Sequence, residues 1–228
     1  YINDRGNGLA NTFAKLNNGE KINVLYMGGS VTNGTGASER ELTSWRGIIG
    51  NWLAHNAGKG KVNNVNAAYG DTCSLFGAYR LNAEILPEEP DLIFVEFGIN
   101  DMYNSGKRGY NLKDSTAQFE TIIRNLRKAL PDCDIVTVLI TERGTLNPNG
   151  LQAYAQAHEN ICIAYNVPSI HAGRALAKEI ALTGKAWSDY SGDSAHPNDL
   201  GYSIYAGPIK TYLDAELKAN GENTAVTN

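Results

Sequence analysis

Three near-continuous apolar runs of strand length constrain this chain more than anything else in it: "INVLYM" at 22–27, "DLIFVEF" at 91–97 and "DIVTVLI" at 134–140. A strand with one wet face alternates apolar and polar side chains. Runs that barely alternate must be covered on both faces, and the common way to do this is a parallel sheet between two layers of helix. Two weaker runs, "KVNNVNAA" at 61–68 and "NVPSI" at 166–170, extend the series to five. Between the runs the spacing turns helical. Trp45, Ile48, Ile49, Trp52 and Leu53 share a stripe over about 44–56, and Phe119, Ile122, Ile123, Leu126 and Leu130 share another over about 113–129. The alternation predicts an α/β protein: a three-layer α/β/α sandwich around a five-stranded parallel sheet.

A chain of 228 residues without repeats or a low-complexity linker is expected to hold one domain over 1–220. The closing stretch 221–228 reads as a polar tail or the start of a linker. A formal net charge of −4 gives no reason to expect nucleic acid as a partner. No apolar stretch approaches the roughly 18–20 residues that span a bilayer, so no membrane partner is expected either. Cys73, Cys133 and Cys162 are odd in number, widely spaced and without a CxxC pair, which points to buried thiols instead of a disulfide framework. The opening at Tyr1 instead of Met leads us to expect that a segment has been removed ahead of it.

In an open parallel sheet, chemistry gathers at the carboxyl ends of the strands, so the residues that follow each run deserve inspection. After the first comes Gly28-Gly29-Ser30. Gly29 to Gly34 has the glycine spacing of a phosphate loop, but Thr35 stands where the lysine belongs; Gly34-x-Gly36 has no third glycine for a dinucleotide fingerprint. What remains is a serine at a tight strand-to-helix turn, either a helix cap or a nucleophile. After the second run, Gly70 is a turn glycine placed where its backbone N–H could face the same site. After the third, Gly98-Ile99-Asn100-Asp101 is turn chemistry that also offers an Asn side chain as an oxyanion donor. Near the end, "SGDSAHPNDLGY" holds Asp193 and His196 three residues apart. Pro197 disfavours helix at the histidine, so this is a rigid loop able to hold an imidazole while a carboxylate orients it. The competing readings are an exposed loop histidine or a metal pair. Metal is disfavoured because His55, His158 and His171 lie in unrelated segments.

Taken in order, Ser30, Gly70, Gly98-x-Asn100-Asp101 and Asp193-x-x-His196-Pro197 resemble the SGNH, or GDSL-type, hydrolase superfamily, with "FGIND" and "DSAHPNDLGY" the strongest elements. The resemblance spans almost the whole chain and implies a flavodoxin-like fold. It implies Ser30 as nucleophile, His196 as general base and then acid, and Asp193 as the group that orients it. The oxyanion donors would be the Ser30 and Gly70 amides and the Asn100 side chain, with Asp101 holding the Asn100 turn. Two departures stand out: Gly29 replaces the aspartate of the common Gly-Asp-Ser block, and the Asn66 to Gly70 spacing is one residue short, which puts Gly70 in question.

The resemblance further implies a serine esterase without metal or cofactor. Its members include carbohydrate acetylesterases, lysophospholipases and thioesterases, so the fold does not choose the substrate. "GGSVTNG" and "VEFGIND" look like members associated with polysaccharides, and the expectation is a short-chain, acetyl-removing carbohydrate esterase. It would be secreted and joined to other modules in a longer chain. The alternatives are a lysophospholipase or thioesterase, or an inert glycan-binding module. Tyr69, Trp187 and Tyr190 are candidates to stack on sugar rings, and Glu142 and Arg143 in "TERGTLNPNG" to reach the pocket; core packing and surface charge compete with these roles.

Overall fold

The computed structural model describes residues 1–220; the stretch 221–228, read above as a tail or linker, lies outside the described residues. One sheet is formed by β1 (Ile2–Asn3), β2 (Ile22–Gly28), β3 (Val62–Asn66), β4 (Leu92–Glu96), β5 (Asp134–Val138) and β6 (Ser169–Ile170), in the order β1-β6-β5-β4-β2-β3. The five strands expected from the sequence are all present and mutually parallel. The sheet nevertheless has six strands and is mixed, because β1 pairs antiparallel with β6, Ile2 opposite Ile170. A two-residue strand has no periodicity to read. Side chains hold it there: Asn3 Nδ2 donates to Glu159 at 2.9 Å, and Arg5 donates to Glu159 at 2.6 Å and to Ser169 Oγ at 2.9 Å.

Without β1, the order of the parallel strands is the flavodoxin-like one, whose direction of winding reverses between its first and third parallel strands. Here that switch point falls between β2 and β4, and it opens a crevice at their carboxyl ends.

Alternate side chains of each strand feed two cores. Ile22, Val24, Tyr26, Leu92, Phe94, Val136 and Val138 point to the layer that includes Trp45, Ile49, Tyr205 and Leu213. Leu25, Met27, Ile93, Val95 and Ile135 point to the opposite layer, against Phe119, Ile122, Ile123 and Leu126. The two helices anticipated from their stripes begin at caps. Ser44 Oγ accepts from Gly47 N at 3.0 Å to open Trp45–Ala57, and Asn111 with Asp114 forms a capping box that opens Leu112–Ala129. Helix Asp199–Asn220 packs over the first layer and reaches the end of the sheet where the crevice lies. Its Tyr202 hydroxyl meets the carbonyls of Val31 and Thr35 at 3.1 and 2.6 Å. The three cysteines are free and buried.

The first layer centres on aromatic rings. Tyr26 and Phe94 stack at 5.3 Å, and Trp45 stands edge-on to both at 5.8 and 6.0 Å. Phe94→Ala removes a fully buried ring from that group, so it should destabilise the fold by about 3–5 kcal/mol in urea unfolding monitored by far-UV circular dichroism. A loss below about 1 kcal/mol would show that the cluster is not a determinant of stability.

Candidate active site

Ser30 lies two residues past the end of β2, at the first position of the short helix Ser30–Asn33. Gly29 holds the cap position and no side chain caps the helix, so the hydroxyl is not spent on the backbone. It faces His196 instead, with Oγ 2.8 Å from Nε2 across 166 residues of sequence. On the far side of the ring, Nδ1 is 2.7 Å from Asp193 Oδ2, while Asp193 Oδ1 accepts from the amides of Ala195 and His196, each at 2.8 Å. A carboxylate only accepts, so Nδ1 carries the proton and the Nε2 lone pair is left for the Ser30 hydroxyl. Burial raises the Asp193 pKa, but the hydrogen bonds from His196 and the two amides outweigh it and hold the carboxyl below its ordinary range.

The loop carrying this pair is braced from several directions. Ser191 and Pro197 form an isolated antiparallel bridge, Ser191 Oγ meets the His196 carbonyl at 2.5 Å, and the Trp187 indole N–H donates to the Asp193 carbonyl at 2.5 Å. Gly36, at φ +96°, passes so close to the Pro197 carbonyl that a side chain there would displace the loop.

Asn100 enters from β4, on the first turn of helix Gly98–Arg108. Gly29 is what admits it, since a Cβ at Gly29 would occupy the space of the Asn100 carboxamide. Gly70 borders the same space from the loop after β3: a Cβ there would stand 3.9 Å from that of Ser30, and its amide donates to no backbone carbonyl among the described residues. Ser30, Gly70, Asn100, Asp193 and His196 thus line one open cleft of about 530 Å³. Asp101 points away from it, fully buried, and accepts from Ser74 N and Oγ at 2.7 Å each and from Ser115 Oγ at 2.5 Å. Because Ser74 opens the helix that follows Gly70, Asp101 ties the Gly70 loop to the Asn100 helix.

The residues anticipated to contact substrate fare differently. Tyr190 is 1% exposed, with its hydroxyl 3.1 Å from Thr183 Oγ1, so its ring is core and has no face for a sugar. Trp187 is also buried and braces the Asp193 loop through its indole N–H; with Arg143 it lines a separate depression beside that loop. Glu142 is buried and reaches the cleft only through the Tyr103 hydroxyl, which donates to it at 3.2 Å. Tyr69 is half exposed next to Gly70 but does not line the cleft; Arg80 lies 4.0 Å over its ring. Reading the sequence missed Ile99, Tyr103 and Lys107, which face the cleft at four-residue intervals along one helix. That stripe becomes visible only when "GIND" is read as the start of a helix instead of a turn.

Glu96 also went unread. It ends β4 at 1% exposure, behind both the Ser30 and the Asn100 turns. Thr32 Oγ1 donates to its Oε2 at 3.2 Å, and Oε1 has no partner among the described residues. Burial, with a smaller push from the Asp101 charge, drives its pKa up to about 8 against the pull of Thr32 and the Gly29 and Ile99 amides. Among the described residues, no three His, Cys, Asp or Glu side chains converge as a metal site, and no helix is long and apolar enough to cross a membrane.

Residues 26–204 match the GDSL-like lipase/acylhydrolase family. No curated protein matches the sequence. Among solved structures, a two-domain esterase active on acetylated mannans superposes with a TM-score of 0.78 at 24% identity over 100% of this chain. The chain spans 58% of that protein's length. An acetylxylan esterase from Geobacillus stearothermophilus superposes with a TM-score of 0.71 at 16% identity, over 85% of this chain and 94% of that one. At these identities the likeness establishes a shared fold.

A carboxyl whose folded pKa lies above its unfolded value costs stability as pH rises between the two, here from 4.5 to about 8. Glu96→Gln cannot ionise, so its stability relative to wild type in urea unfolding should rise between about pH 5 and about pH 8. A difference that stays constant over that window would show that Glu96 does not titrate there.

Proposed function

The chain belongs to the GDSL-like lipase/acylhydrolase family, and from that premise we propose that it is a serine esterase that removes short acyl groups, acetyl foremost, from a carbohydrate or polysaccharide. The observation that carries this reading is the continuous hydrogen-bonded path from Asp193 through His196 to Ser30, at 2.7 and 2.8 Å, opening into a cleft bordered by Gly70 and Asn100.

Serine alone is a weak nucleophile at neutral pH. As Ser30 Oγ attacks the ester carbonyl, its proton passes to His196 Nε2, and Asp193 stabilises the imidazolium while remaining ionised. Negative charge develops on the former carbonyl oxygen, where the amides of Ser30 and Gly70 and the Asn100 side chain supply donors. The tetrahedral intermediate collapses, the C–O bond to the sugar breaks, and the leaving hydroxyl takes the proton from His196. Water then gives a proton to His196 and attacks the acyl-enzyme. A second collapse restores the Ser30 hydroxyl and releases the acid.

Two features support a short acyl group on a polar substrate. The apolar part of the cleft wall comes from Val31, Ile99 and Ala195, whereas Asp71, Tyr103, Lys107 and Ser194 supply hydrogen-bonding groups to the remainder. The structural likeness to esterases active on acetylated mannan and acetylated xylan supports the same class of substrate. The two-domain organisation of the first supports a parent chain with further modules, and a polymeric substrate, too large to enter a cell, supports a place of action outside it.

Ser30→Ala should lower kcat/KM on 4-nitrophenyl acetate by roughly 10⁴-fold or more, and Asn100→Ala should lower kcat by about 10²–10³-fold. Retained turnover in Ser30→Ala would remove the nucleophile assignment. Across a series of 4-nitrophenyl esters the rate should peak at acetate; a peak at octanoate or beyond would favour a lysophospholipase or thioesterase. Acetate release from acetylated polysaccharides tests reaction and substrate class together.

A further inference from the structure

Helix Gly98–Arg108 is a ridge between two hollows. Ile99, Tyr103 and Lys107 face the cleft that holds Ser30, while Asn104 and Arg108 line a second, larger hollow of about 720 Å³. The two share a rim, since Asp71 on the cleft wall pairs at 2.9 Å with Arg108, which lines the second hollow at the end of the ridge helix. The opposite bank of the second hollow is helix Ser74–Arg80. Its inner side is packed tight, because a Cβ at Gly77 would come within 2.7 Å of Phe97 and 2.9 Å of Met27. Its outer side presents Leu75, Phe76 and Tyr79, and Tyr79 is 83% exposed. Three large apolar side chains within one helical turn of each other, left in water beside a candidate active site, have no part in the core.

The rest of the lining selects the occupant. Asn104, Arg108, Asp114 and Gln118 bring amide, guanidinium and carboxylate groups among the rings, with Tyr110 as a largely buried floor. A fatty acyl chain laid here would desolvate Arg108 and Asp114 without replacing their hydrogen bonds. It would also gain little from a ring as open as that of Tyr79. A pyranose has an apolar face of C–H groups and a rim of hydroxyls, so it satisfies rings and polar groups at once.

We propose that this hollow is a carbohydrate-binding subsite holding the sugar units that flank the acylated one, so that the enzyme works on long chains in preference to short ones. The inference rests on the carbohydrate-esterase reading above and adds to it a second, non-reacting contact across the Asp71–Arg108 rim.

The test compares kcat/KM on 4-nitrophenyl acetate, an acetylated disaccharide and an acetylated hexasaccharide for wild type, Tyr79→Ala and Phe76→Ala. Wild type should favour the hexasaccharide over the disaccharide. Each variant should lose about tenfold on the hexasaccharide relative to its own rate on 4-nitrophenyl acetate, as expected for the loss of one aromatic contact, and the loss should lie in KM. Saturation-transfer NMR of unacetylated hexasaccharide with Ser30→Ala should show contacts that Tyr79→Ala in the same background removes. Equal kcat/KM of wild type on disaccharide and hexasaccharide overturns the subsite alone, whereas no turnover of any acetylated glycan overturns the parent reading and the subsite with it. A wild-type dimer in size-exclusion chromatography that Tyr79→Ala disperses also overturns the subsite, since the rings would then serve self-association.

Discussion

The pairing of β2 with β4 is what the rest of the site depends on. Gly28 lies opposite Glu96, so the two strands end level, and the chain leaves each in a helical turn, one carrying Ser30 and the other Asn100. Ser30 and Asn100 become neighbours because their strands are neighbours, although 70 residues separate them in sequence. The winding reversal at this point keeps the covering helices from closing over the gap. A slip of one residue in this ladder would turn every core side chain of one strand to the wrong layer, so the same burial that stabilises the fold fixes the distance between the Ser30 turn and the Asn100 turn.

Level strand ends leave little room, and the residues around them answer that constraint. Gly29 has no side chain because the Asn100 carboxamide fills the space. Glu96 is buried behind both turns, which favours its neutral form over the charged one, and one of its oxygens has no partner among the described residues. Asp101 carries the tie one step further, clamping the helix of Asn100 to the helix after Gly70 through Ser74 and to helix Leu112–Ala129 through Ser115. The imidazole arrives on a loop instead of a helix, and that loop is locked by Trp187, by Ser191 and by the close passage of Gly36. Preorganised groups of this kind need no rearrangement as charge develops, which is where the proposed acyl transfer would gain most.

Some of this was legible in the amino-acid sequence because it is written in local pattern. Strands buried on both faces lose their polar alternation, and the Trp45 and Phe119 stripes repeat at the helical period. Ser30, Asn100, Asp193 and His196 stood out because each follows a strand or sits in a loop with restricted backbone. What escaped was set by tertiary context. β1 is too short to show a period and is held by Arg5 and Asn3 reaching Glu159 and its neighbours. Tyr190 and Trp187 lie next to the Asp193–His196 loop in sequence, yet their rings point into protein, because that loop needs packing beneath it. Tyr103 and Lys107 were hidden by reading "GIND" as a turn, although Gly98 opens an 11-residue helix.

That helix also bears on how binding energy is divided. Contacts to the acyl carbon and its oxygen change as the tetrahedral species forms, and only such changes lower the chemical barrier. Contacts made by Phe76 or Tyr79 to a sugar that does not react are the same before and after, so they act on the affinity for substrate and leave turnover untouched. The Asp71–Arg108 pair forms the rim between the two hollows, and both side chains are exposed, at 67% and 58%. A solvent-exposed ion pair transmits little energy. That rim therefore couples the two hollows weakly, and the outer hollow keeps Phe76 and Tyr79 exposed, apart from Ser30 and His196. Changing the rings should retune which glycan is held without disturbing the chemistry performed on it.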